Sequence, residues 1–150
     1  SMLGLLTGTV AGLGTITPAS GFVSPAAAVL IGLLAGTLCF QATQIMKQRL
    51  RIDDSLDVSP VHGVGGVLGT LLTGVFAAPL FGGVGFNVPH GIAGQLGVQL
   101  LGIVVVGGWC ALATLGLLQL LKSTLGLRVG DEHETEGLDL ASHGERGYSP

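Results

Sequence analysis

Pro25-Ala-Ala-Ala-Val-Leu-Ile-Gly-Leu-Leu-Ala-Gly-Thr-Leu-Cys-Phe-Gln-Ala-Thr-Gln-Ile-Met46 is the stretch that decides the fold. It opens on a proline, a favourable first-turn residue whose missing N–H costs a helix nothing, and it carries no charge until Lys47. About 20 apolar residues wound as a helix cross a hydrocarbon core of about 30 Å, so this run reads as a membrane-spanning helix. Outward from it the absence of charge continues: residues 1–46 and 58–121 hold no Asp, Glu, Lys or Arg.

Soluble domains carry about 25% charged residues, whereas this chain has 10% and a mean hydropathy of +0.72. Its 27 glycines in 150 residues would weaken helices in water. In lipid they let helix backbones approach closely, which matters where no hydrophobic drive operates between helices. No short glycine period is visible, which excludes a fibrous chain, and no basic patch of the kind that binds nucleic acid is present. Cys39 and Cys110 fall inside expected spans, where a thiol acts as a small apolar group, so neither a disulfide nor a metal role is expected. The first 23 residues lack a basic leading region and run into a second apolar segment, unlike a signal peptide. The chain therefore reads as starting inside or just before a helix, as a fragment would.

The pattern gives an all-α, polytopic transmembrane helix bundle over 1–127, with helices expected at about 2–16, 25–46, 59–78 and 95–123, and a tail over 128–150. The first is short for a crossing and stops at Thr17-Pro18, since proline removes a donor and turns its predecessor away from helix. The only dense charge cluster in the body runs from Lys47, Arg49 and Arg51 to Asp53, Asp54 and Asp57. Three basic residues in a short loop put it in the cytoplasm, and Lys122 and Arg128 put the end of the fourth helix there too. Ser59 and Pro60 read as cap and first turn of the third helix. Residues 79–94, rich in glycine and proline, read as an external loop. The acidic tail is too poor in large apolar residues to fold alone.

His62 is the most informative position, one turn inside a helix that holds no Asp, Glu, Lys or Arg. An ionisable group at membrane depth is costly and points to a pathway or relay; the plainer reading is a histidine near the interface bonded to a neighbouring helix. Gly63, Gly66 and Gly69 recur every three residues and would let another backbone come close. A neutral imidazole in such a narrow channel can donate or accept a hydrogen bond, hold a small polar solute, or pass a proton. Asp53, Asp54 and Asp57 stand where carboxylates cap free N–H groups and complement a helix dipole. Thr17 and Ser20 either line a cavity beside Pro18 or form a turn at the membrane face. His90, His133 and His143 lack metal-ligand spacing, and Trp109, mid-helix, is expected to pack. No nucleophile, metal set or phosphate loop accompanies His62, so no enzyme and no cofactor are expected.

Arg51-Ile-Asp-Asp-Ser-Leu-Asp-Val-Ser-Pro-Val-His-Gly-Val-Gly-Gly66 is similar to the late pore-helix motif of the Amt/Rh ammonium transporters, where a doubled Asp, a third Asp and a His-Gly follow at this spacing. Ala11-Gly-Leu-Gly-Thr-Ile-Thr-Pro-Ala-Ser-Gly-Phe-Val23 resembles the family's threonine-proline helix end. Gly126-Leu-Arg-Val129, Glu136-Gly-Leu-Asp-Leu140 and His143-Gly-Glu-Arg146 resemble its cytoplasmic tail. The resemblance covers essentially the whole chain, as the last four of the family's usual eleven helices.

By that resemblance His62 is the second of two paired pore histidines and Asp54 the capping carboxylate eight residues before it. Gly126, Arg128, Glu136, Gly137, Asp139, His143, Gly144 and Glu145 fall in a regulatory tail that in many bacteria couples to a PII-type signalling protein. The family implies homotrimers in the plasma or bacterial inner membrane, a pore in each subunit, and ammonium deprotonated at the outer face before ammonia and a proton pass the histidines. The first histidine, the aromatic gate and the other inverted repeat are not among these residues, so the chain alone is expected to be inactive. The alternative is a small membrane scaffold or interaction subunit without transport activity.

Overall fold

The computed structural model describes residues 2–87 and 89–147. Among them the regular structure is all helical, and the chain divides into two compact units, Ser1–Val105 and Val106–Pro150. The surface of the first unit is that of a protein bathed in lipid: Leu5, Leu30, Leu33 and Phe40 are exposed while small residues fill the interior. This is the membrane helix bundle that the charge-free blocks imply.

Helix α1, Met2–Ile16, passes into a 3₁₀ turn at Thr17–Ala19, where Pro18 stops it and Gly21, at φ 80°, reverses the chain. Helix α2, Pro25–Gln44, starts under Ser24, whose hydroxyl accepts from the Ala27 N–H at 3.4 Å and donates to the Phe81 carbonyl at 2.7 Å. Its end was expected at Met46, but a wide π turn carries it through Ile45–Arg49. Lys47 and Arg49 thereby lie in the last turn, where cations complement the carbonyl end of the dipole.

A second π turn, Ser59–Val64, leads into α3, Gly65–Phe76. Ser59 was expected to cap this helix and does not: Val58 is already helical at φ −62°, ψ −46°, and no side chain of the turn itself makes a cap bond. The expected end at Ala78 is replaced by a stop at Phe76, since Ala78 is extended ahead of the 3₁₀ turn Pro79–Phe81. Helix α4, Gly91–Thr124, starts four residues before the expected Gln95. His90 and Gly91 make the turn with positive φ, and a Cβ on Gly94 would fall 1.9 Å from the Pro89 carbonyl oxygen. Glycines that read as loop formers are thus the first helical turn, placed where backbone approaches backbone.

Three of these helices are long and apolar enough to cross a membrane: Pro25–Arg49, Ser59–Phe76 and Gly91–Thr124. At 15 residues, or about 22 Å, α1 falls short.

The core of the first unit has one pattern throughout. Ala11 and Thr15 on α1 with Ala19 in the turn after it, Ala27, Ile31, Ala35 and Cys39 on α2, and Val61, Gly65, Gly69 and Thr73 leading into and along α3 are all buried. Each set repeats every four residues, the small-residue spacing by which membrane helices pack closely. At their crossing a Cβ on Gly69 would lie 1.9 Å from the Thr15 carbonyl oxygen, and one on Gly65 2.8 Å from the Thr15 hydroxyl and 3.4 Å from the Cys39 sulfur. The expected three-residue series is corrected here: Gly69 belongs to the contact, but Gly63 and Gly66 have nothing within 4 Å of a Cβ position. The four-residue register follows the helix pitch and the three-residue one drifts off the contact face.

In the second unit the tail forms two short helices, α5, Asp131–Glu136, and α6, Leu138–His143. It was expected to be unable to fold alone, for want of apolar surface to bury. Local interactions supply the helices: Asp131, Glu132 and Glu134 crowd the first turn of α5, and Gly137 and Gly144 take positive φ at the helix ends. The described part of the tail ends at Gly147.

Candidate pore site

His62 lies in the wide turn that leads into α3, between two residues with opposite surroundings. Val61 is 3% exposed and packs with Ala11 and Cys39, whereas His62 points to the open side. Among the described residues its imidazole has no hydrogen-bond partner. Across from it on α1, a Cβ at Gly14 would stand 3.7 Å from the imidazole Nδ1 and 3.9 Å from the Val61 carbonyl oxygen. A Cβ at Gly63 or at Gly66 would meet nothing within 4 Å.

Below His62 the turn is anchored by Asp54. One carboxylate oxygen accepts from the Val58 N–H at 2.9 Å and the other from the Ser59 N–H at 2.7 Å. These bonds, Ser59 first and Val58 second, hold the carboxyl below its ordinary value because they favour the charged form. Asp57 adopts φ 55°, accepts from the Val61 N–H at 3.0 Å through its carbonyl, and pairs its carboxylate with the Lys47 ammonium at 2.6 Å. That ion pair ties the end of α2 to the start of α3. Asp53 is exposed and pairs with nothing among the described residues.

Thr17 donates its hydroxyl back to the Leu13 carbonyl at 2.7 Å, and the Ser20 N–H donates to the Thr17 carbonyl at 3.2 Å, which is a turn. Pro18, not Thr17 or Ser20, lines a cavity of about 280 Å³ with Thr73, Asn87, Gln95 and Gln99. A second cleft, of about 480 Å³, lies between α1, α2 and the loop before α3, with Thr43, Lys47 and Asp57 among its lining. No group of three or more potential metal ligands occurs among the described residues.

In the second unit Gly126 takes φ 82°, and Arg128 grips Glu134 through Nε at 2.9 Å and Nη2 at 2.7 Å. Glu136 ends α5, Gly137 turns the chain, and His143 ends α6. The Glu145 N–H donates to the Asp139 carbonyl at 3.0 Å after the turn at Gly144. Sequence reading missed Gly14, whose partner is remote in the chain, and the Lys47–Asp57 pair, which depends on where α2 ends.

Residues 1–148 match the family model described as Ammonium Transporter Family. The chain belongs to the Ammonium Transporter Family. It is 36% identical over 149 residues to the ammonium transporter of Bacillus subtilis, covering 99% of this chain and 37% of that protein. To the ammonium transporter of Aquifex aeolicus it is 39% identical over 149 residues, covering 99% and 35%. To that of Mycobacterium bovis it is 42% identical over 160 residues, covering 97% and 32%. This Ammonium Transporter Family chain therefore spans about a third of the length of the curated relatives it matches. The matched region takes in both the His62 turn and most of the tail.

Proposed function

We propose that this chain is the C-terminal part of an ammonium/ammonia channel-transporter and that His62 lines its conduction path. The observation that carries the reading is the His62 imidazole itself: unbonded among the described residues, exposed, and set one helical turn beyond the N–H groups that Asp54 anchors, at the start of the charge-free block 58–121. A buried apolar neighbour at Val61 and open glycines at 63 and 66 mean that the histidine edges a space and does not fill the core. Family membership supports ammonium as the substrate.

In this reading the loop of Lys47, Arg49 and Arg51 and the tail face the cytoplasm of a plasma or bacterial inner membrane, in keeping with the excess of basic residues there. Helix α1 serves as a fourth, short membrane helix. The complete protein is a homotrimer, and the tail segment of Gly126, Arg128, Glu136 to Asp139 and His143 to Glu145 is its regulatory part, open to a PII-type partner. Transport needs the rest of the pore, so the chain alone is inactive.

The alternative, a small membrane scaffold or interaction subunit, draws on the three four-residue stripes, which pack α1, α2 and α3 without help from other segments. Uptake of labelled methylammonium separates the two. Cells making the complete protein should take it up and lose uptake on His62→Ala, while cells making this chain alone should not. Undiminished uptake with His62→Ala in the complete protein would overturn the pore role.

A further inference from the structure

Deepening the pore reading above, on which it rests, we propose that Gly14 sets the free space beside His62 and thereby the size of amine the site admits. Three glycines of α1 can be compared. Gly8 and Gly12 have nothing within 4 Å of a Cβ position, so a Cβ there would meet no neighbour. Gly14 faces the imidazole, with Nδ1 at 3.7 Å from its Cβ position.

The backbone at Gly14 has no room to withdraw. The next residue, Thr15, is fully buried, and its carbonyl oxygen lies so close to Gly69 that a Cβ there would stand 1.9 Å away. Any side chain at position 14 is therefore delivered at a fixed distance from the ring. A lone Cβ makes ordinary van der Waals contact. Atoms beyond it project about 1.5 Å further, which takes the space on the Nδ1 side of the imidazole. Gly14 is half-buried and His62 exposed, and the volume that glycine leaves empty adjoins the Nδ1 edge of the ring. A serine at 14 would bring a hydroxyl within hydrogen-bond reach of Nδ1 and bias which ring nitrogen carries the proton.

Gly14 is thus a specificity-determining residue, and the test is a ratio. The complete protein is reconstituted into proteoliposomes, and uptake of ammonium and methylammonium is compared for wild type, Gly14→Ala, Gly14→Ser, Gly14→Val and His62→Ala. One methyl group in a fitted apolar site is discriminated about tenfold or more. The methylammonium-to-ammonium ratio should accordingly fall by about that factor in Gly14→Val, and less in Gly14→Ala. In Gly14→Ser the nitrogen NMR signals of His62 should move toward the tautomer protonated at Nε2.

An unchanged ratio in Gly14→Val, or an equal loss of both substrates across the series, overturns the proposal. Should the valine variant fail to assemble, the alanine ratio and the serine spectrum decide it. His62→Ala separates the two readings. If it leaves both uptakes intact, the pore role fails and this inference with it; if it abolishes uptake while the Gly14 ratios stay flat, only the inference about Gly14 fails.

Discussion

Asp54 stands outside the membrane segments, yet both of its carboxylate oxygens are engaged by N–H groups at the start of the turn that carries His62. Because those bonds lower its pKa in the folded state, the sign of the pH effect is fixed: the stabilisation is complete above the ordinary carboxylate pKa of about 3.9 and fades as pH falls below it. Thermal unfolding of the chain and of Asp54→Asn should show a gap near neutral pH that narrows below about pH 4. A gap that stays constant through that range would mean the carboxylate charge is not what matters. His62 was legible in the sequence because it is an ionisable group within a long uncharged stretch. Its neighbour Gly14 was not, because a missing side chain has no chemistry of its own and its value depends on what faces it.

At the scale of elements, the three stripes of small residues account for how α1, α2 and α3 pack, and they make opposite predictions for glycines three residues apart. Gly69→Ala forces a Cβ into the Thr15 carbonyl and should destabilise by roughly 1–3 kcal/mol through overpacking. Gly66→Ala meets open space in this chain, and alanine's better helix propensity favours it by up to about 1 kcal/mol. Equilibrium unfolding of the two variants in detergent, followed by circular dichroism, checks the ordering; equal losses would contradict the assigned crossing. Helix α4 raises a different point. Its 34 residues extend about 51 Å against a hydrocarbon core of about 30 Å, and the first charge after Gly91 is Lys122. Polarised infrared spectroscopy on oriented bilayers should find it tilted well beyond the roughly 20° average of membrane helices. An upright α4 would require the bilayer to thicken around it.

For the molecule as a whole, the membrane character was readable from charge placement alone, since no packing arrangement makes two long uncharged blocks soluble. What the sequence left open depended on contacts between distant segments. Glycine spacing read along the chain favoured positions 63, 66 and 69, but the face of α3 that meets α1 selects 65 and 69. The tail's composition argued against its folding alone, and its two short helices bury no residue and rest on local contacts, the Arg128–Glu134 pair and the glycine turns at 137 and 144. At the site, the histidine and the carboxylates stood out by type. The resemblance singled out Asp54 as the capping carboxylate, whereas the pairing of Asp57 with Lys47 depended on the path of the loop.

If His62 lines a pore, its open side is a hydrated path and not a lipid-facing surface. In the complete protein, with Cys39 and Cys110 replaced by serine, cysteine is placed at position 62 or 61 and exposed to a charged, water-soluble methanethiosulfonate. The account predicts modification of His62→Cys, slowed by ammonium, and none of Val61→Cys. If position 62 reacts only with a lipid-soluble maleimide, or no faster than position 61, His62 does not line a pore.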